Sequence, residues 1–196
     1  MDITPKEVNN LIQNRRSIFP KMYTDEPVPK EILEQILENA NYAPTHKLTE
    51  PWRFKVFQGQ SLVRLGKFLA ETYKVKAEAK DAFSERKYKK LTTNPTKASA
   101  VIAIVMKRDE EERIPEIEEV CSVACAVQNM ALTATAYGLG AYWSSPGFVF
   151  SPLMNEFLGI GTKDKCLGLF YIGNHNLPEL PAKRTPMADK VEWINH

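Results

Sequence analysis

Cysteine is scarce: Cys121, Cys125 and Cys166 are the only three in 196 residues. An odd, sparse set without a CxxC pair excludes a disulfide framework and a structural zinc site. Cys121 and Cys125 stand four residues apart in an apolar run, which is the pattern of core packing. Net charge is scarce too, at +2. That excludes the broad basic surface of a nucleic-acid binder, so any positive site must be local. No apolar run approaches the ~20 residues of a membrane span. The opening MDITPKEVNN lacks the basic and apolar regions of a signal peptide, so a cytoplasmic setting without a membrane partner is expected.

What is present is ordinary for a globular chain: 43% hydrophobic and 26% charged residues,. The length suits one domain, spanning 1–196, with room for a substantial core. Thr4, Pro5 and Glu7 form a T-x-x-E capping box opening a helix whose apolar face holds Val8, Leu11 and Ile12. A second helix starts at Pro29 and must stop before Pro44. RFKVF (Arg53 to Phe57) reads as a short strand, and Leu62 to Tyr73 as helix. From Lys74 to Lys97 the pattern weakens to helix fragments and a mobile surface loop.

AVIAIVM (Ala100 to Met106) is a β-branched run without alternation, the mark of a strand covered on both faces. RDEEER (108–113) reads as a turn of solvated charge. Pro115 to Tyr137 is the longest helical pattern, roughly 33 Å. Its face of Cys121, Ala124, Ala131 and Ala134 invites close approach by the core or by a second subunit, and Gly138 and Gly140 end it. A strand GAYWSS follows, then a helix capped by Ser151, then a buried strand from Cys166 to His175. Few strands, separated by helices, mean one α+β or α/β sandwich.

Four stretches carry chemistry. Arg15, Arg16 and Ser17 end the first helix, either as a solvated basic end favoured by the helix dipole or as a phosphate clamp of forked donors. NYAPTHKLTEPWRF puts His46 and Lys47 in a loop between rigid flanks, where ligands are met. No second histidine or carboxylate stands at ligand spacing there, so no metal is expected. Trp52 reads as a core anchor. GLGAYWSSPG (Gly138 to Gly147) follows a helix rather than a strand, so it is not a dinucleotide fingerprint. It suits equally a strand end opening onto a planar ligand and a strand capped by a turn. LPAKRTP (180–186) holds Lys183 and Arg184, a basic pair in a proline-rich tail.

Taken in order, RRS, AP-x-HK-x-x-x-PW-x-F, G-x-G-x-x-W-x-S and a terminal basic pair resemble the FMN-dependent nitroreductase family, in its small, minimal-length branch. The resemblance runs from Val8 to about Pro186. It implies an α+β fold, a three-layer α-β-α sandwich around a mixed, mostly antiparallel sheet. It implies FMN held through its phosphate by Arg15, Arg16 and Ser17, with Lys183 and Arg184 closing the clamp. His46, Tyr42 and Lys47 would reach the flavin from the partner subunit, and Trp143, Ser144 and Ser145 would line it from a strand end. FMN would thus sit at a homodimer interface.

The implied chemistry is ping-pong: hydride passes from NAD(P)H to flavin N5 and on to a small acceptor such as a nitroaromatic or quinone. The cofactor supplies the hard step, so no catalytic triad is expected. Two departures bear on acceptor choice and flavin potential. THKLTEPW replaces the family's common Ser-x-x-Asn loop, and Ser144 stands where the small branch often has arginine, followed by an extra Pro146. The rival readings are a same-fold flavin enzyme acting on another small molecule, a non-catalytic flavin-binding or storage protein, and an unliganded interaction module.

Overall fold

The computed structural model describes residues 3–178 and 181–195. Thr4 caps α1 (Pro5–Asn14) as its sequence demands. The Glu7 N–H donates to Thr4 Oγ1 at 3.3 Å, and the Thr4 N–H donates to the Glu7 carboxylate at 2.8 Å,. Yet α1 buries none of its residues, and Val8 and Ile12 stay exposed. The chain continues as α2 (Lys30–Ala40), β1 (Trp52–Phe57), α3 (Gln60–Glu78) and α4 (Glu85–Thr93). The expected helix fragments are present as the end of α3 and as α4, but in place of a mobile loop α4 is docked: it lies against α3, with Tyr88 and Leu91 packed on the core. Gly66 permits the approach, since a Cβ there would stand 2.3 Å from the Thr92 carbonyl oxygen.

β2 (Ala100–Met106), α5 (Glu116–Ala136), β3 (Gly140–Ser144), α6 (Pro152–Leu158) and β4 (Lys165–Gly173) complete the set. Pro152 opens α6 as expected, but Ser151 does not cap it; its hydroxyl donates to the Phe148 carbonyl at 2.7 Å. The four strands form one sheet in the order β1-β2-β4-β3, every ladder antiparallel. The parallel component is a single bridge, Ser17 to Ala141, on the outer edge of β3.

β2 explains the layering. Ala100, Ile102, Ile104 and Met106 face a core with α2 and α5, while Val101, Ala103 and Val105 face a second core with α3 and α6. A bulge at Ile104/Val105 shifts the register opposite Gly168, so Cys166 and Leu169 share one face across an odd spacing,. The result is an α-β-α sandwich, as the fold expectation had it.

Two expectations fail in instructive ways. Cys166 is buried, its thiol pushed up to about 11 by that burial, but Cys121 and Cys125 are exposed. α5 is apolar around most of its circumference. Val123, Ala126, Val127, Met130 and Ala134 fill the core, which leaves Ile117, Cys121 and Cys125 outside. Nor is RDEEER merely solvated. Arg108 reaches the fully buried Glu119 at 2.5 Å and the Ile114 carbonyl at 2.9 Å, and the Asp109 N–H donates to Glu119 at 2.8 Å.

Candidate functional site

The paired arginines diverge at the end of α1. Arg16 turns back, donating to the carbonyls of Gln13 and, at 2.9 Å, Arg15. Its charge thereby meets the negative end of the helix dipole. Arg15 is half-buried. Burial first, then repulsion from Arg184 and from Arg16, lowers its pKa from the usual arginine value. Arg15 thus feels the charge of Arg184, although the two come from opposite ends of the chain. Among the described residues no ion pair involves Arg15, Lys183 or Arg184. Guanidiniums that feel each other's charge, with no ion pair among the described residues, suit an anion.

Ser17 is held beside them by the sheet edge. The Ile18 N–H donates to Ala141 O at 2.9 Å, and Tyr23 donates its hydroxyl to Ile18 O at 2.9 Å and to Tyr171 O at 3.2 Å. Burial drives the Tyr23 phenol's pKa up, so it acts as a neutral clasp. Two glycines make room for it. A Cβ on Gly140 would meet the Tyr23 ring at 2.8 Å and Ile18 Cβ at 3.0 Å; one on Gly173 would meet that ring at 2.5 Å. Sequence reading missed Tyr23 and took Gly140 only as a helix end. The available signal was a pair of glycines, Gly140 opening β3 and Gly173 closing β4, which face each other across the ladder where side chains would be expected,.

Strand alternation separates the β3 candidates. Ser144 and Tyr142 line a cleft of about 640 Å³ with Phe19, Lys21, Lys87 and Lys90. Trp143 points to the other face, where its indole N–H donates to Leu167 O at 3.2 Å in space left by Gly168. Ser145 lies beyond the strand end, exposed.

The second candidate group stands apart. His46 opens a 3-10 turn (His46–Leu48), and Lys47, Leu48 and Glu50 all adopt φ between 41° and 54°, a costly conformation for non-glycine residues,. His46 Nδ1 is 2.6 Å from Glu118 Oε2, and Lys47 donates to Arg113 O at 3.1 Å. An ionised carboxylate only accepts, so Nδ1 carries the proton. The loop is tied down at its root, where Trp52 donates to Asn41 Oδ1 at 3.0 Å, and Trp52 itself is buried as expected. Tyr42 and Leu48 are exposed, at 75% and 80%.

α5 measures the separation. Glu118, bonded to His46, lies in its first turn. Thr135, in its last turn, lines a hollow with Arg16 and Ile18. Seventeen residues of helix span ~25 Å. One protomer therefore does not bring the RRS segment and the His46 loop together.

The model of the nitroreductase family matches residues 12–174. YdjA of Escherichia coli K12, provisionally named an NAD(P)H nitroreductase, is 33% identical over 85% of this chain and 87% of its own. The similarly named YfhC of Bacillus subtilis is 26% identical, over 93% and 92%. Among solved structures, a nitroreductase-like protein from Bacillus cereus superposes over the whole of both chains with a TM-score of 0.84 at 28% identity. A protein from Desulfovibrio desulfuricans, provisionally named a nitroreductase and solved in complex with FMN, shares the fold at a TM-score of 0.73 and 24% identity, over 99% of both chains.

Proposed function

The chain belongs to the nitroreductase family, and from that premise we propose that it is a flavin oxidoreductase. On this reading it binds FMN, takes reducing equivalents from NAD(P)H and delivers them to a small acceptor such as a nitroaromatic or quinone. The whole chain acts as one flavin-binding domain. The observation that carries the reading is a half-buried Arg15 that feels the positive charge of Arg184 and Arg16 and has no ion pair among the described residues. An anion beside them would offset that repulsion, and a phosphate dianion suits the forked donors of arginine.

When bound, FMN supplies the hydride chemistry between the nicotinamide and the acceptor. This chain's residues bind and orient. Arg15, Arg184 and Lys183 hold the phosphate, and Ser17 adds a hydroxyl beside them. Arg16 fixes the end of α1 so that Arg15 is aimed away from it. Tyr23 and Gly140 set the position of that segment. Ser144 offers a hydroxyl to the ring from the cleft, while Trp143 packs behind it and Ser145 sits at the rim.

The His46 loop, ~25 Å away along α5, serves the site of a second copy. Support comes from the apolar surface that one protomer leaves uncovered: Val8 and Ile12 on α1, Ile117 on α5, Tyr42 and Leu48 on the loop, and Trp193 on the tail. An antiparallel pairing of copies about α5 would bring His46, Tyr42 and Lys47 of each to the other's RRS end. The homodimer would work in the cytoplasm.

The test is an anaerobic half-reaction on the purified protein. Loss of the flavin's visible absorbance on adding NADH or NADPH supports a reductase, whereas a yellow protein that does not bleach is a carrier. Sedimentation at micromolar concentration tests the dimer; a monomer that retains FMN would contradict the shared site.

A further inference from the structure

The cleft beside Ser144 holds more positive charge than FMN can use. Lys21, Arg86, Lys87, Lys90 and Lys97 line it, and no acidic residue does. Lys87 lies over the Tyr73 ring, 4.5 Å from its centroid. Among the described residues Lys21, Arg86, Lys90 and Lys97 have no ion pair, whereas the neighbouring Lys89, outside the lining, pairs with Glu85 at 3.8 Å. The floor is aromatic: Phe19 and Tyr142 have ring centroids 4.6 Å apart, and Tyr171 lies 6.1 Å beyond Tyr142. Burial, with Tyr142 beside it, raises the Tyr171 phenol's pKa, so the floor adds no negative charge.

This arrangement works against the helix that carries it. Arg86 and Lys90 are spaced i, i+4, where like charges destabilise, and Arg86 stands in the first turn of α4, at the dipole's positive end,. α4 is nonetheless docked firmly through Gly66. The flavin phosphate is matched by the Arg15–Arg184 end, and the ring is neutral when oxidised and carries one negative charge when reduced. One cation answers that charge. Lys21, Arg86, Lys90 and Lys97 have no carboxylate partner among the described residues, and a second, anionic molecule would supply one.

We propose that the α4 cleft selects the acceptor, favouring aromatic acceptors that carry a carboxylate or sulfonate, with the ring on the Phe19–Tyr142 floor and the anion on Arg86 and Lys90. The proposal rests on the flavin-reductase reading for the word acceptor, but the cleft's preference for an aromatic anion is measurable without turnover. Calorimetric titration of the protein, with and without FMN, compares 4-nitrobenzoate with 4-nitrobenzamide. The anion should bind about fivefold to tenfold more tightly at low salt, and the advantage should fade at 1 M salt, where the screening length falls to ~3 Å.

Arg86→Gln/Lys90→Gln should remove the advantage while amide binding and FMN affinity hold and the melting temperature holds or rises. Lys89→Gln, outside the cleft, should change nothing. In turnover, the same double variant should lower the kcat/KM ratio of nitrobenzoate to nitrobenzamide and leave the NADPH to NADH ratio alone. Equal binding of acid and amide, or an unchanged ratio in the double variant, overturns the proposal. So does a shift confined to the NADPH to NADH ratio, which would assign the cations to the reductant's phosphate. A protein that prefers the anion but fails to bleach would sink the reductase reading and keep the cleft.

Discussion

The two ends of α5 treat charge in opposite ways. At its first turn Arg108 meets Glu119, Arg113 grips Asp109 at 2.8 Å, and Lys163 and Lys165 find Glu112 and Glu116. Near its last turn Arg15 and Arg184 repel each other, with no carboxylate among the described residues. The same residue types thus serve two purposes. Where a guanidinium is saturated by protein groups it holds the fold; where it is left with only its like, the fold has kept it for something else.

The sharpest way to break that comparison is to unpair the paired end. Arg108→Ala leaves the Glu119 carboxylate buried without its counter-ion, and such losses run to ~3–5 kcal/mol. A large drop in the denaturant midpoint is expected, with partial recovery when Glu119→Leu is added. At the other end Arg15→Ala should do the reverse. It relieves a repulsion, so the apoprotein should be no less stable. FMN should lose ~1.5–3 kcal/mol, or roughly ten- to 150-fold in Kd. Riboflavin, which lacks the phosphate, should bind as before in the same fluorescence titration; equal losses for both would remove the clamp.

Gly140→Ala tests whether the unpaired end depends on backbone placement. Its new Cβ would press on Tyr23 and Ile18, an overpacking that costs ~1–3 kcal/mol. Both melting temperature and FMN affinity should fall, since the Ser17 bridge moves with Ile18. The smallest effect concerns acid. Arg113, through side-chain and backbone hydrogen bonds, holds the Asp109 pKa down at about 2. Its stabilising contribution is present above the unfolded value of ~3.9 and is lost as pH falls towards 2. Asp109→Asn should therefore flatten the loss of melting temperature across that acid window, and unchanged steepness would show that Asp109 is not the group responsible.

Legibility followed range along the chain. The Thr4–Glu7 box and the limits of β2 appear as read because each is set by residues within a few positions. α4 was misjudged because its charged sequence has weak periodicity and depends on Gly66 for a place to dock. Cys121 and Cys125 lie outside the core because α5 is apolar around most of its circumference, and apolar character alone does not say which of its faces is buried. The His46 loop was picked out correctly as a loop, yet its tie to Glu118 crosses 72 positions and leaves no local trace.

The sequence by itself determined the helices and strands, the nitroreductase signature, and the presence of guanidiniums at both ends of the chain. Tertiary structure decided their roles. It turned Arg16 onto the carbonyls of α1, left Arg15 half-buried within range of the charge of Arg184, and put Trp143 and Ser144 on opposite faces of β3. It also gave Arg108 a buried carboxylate and left Lys90 without one. The reason is physical. Caps and periodicity are short-range and read along the chain, whereas the state of a charge depends on what three-dimensional packing sets within a few ångströms of it.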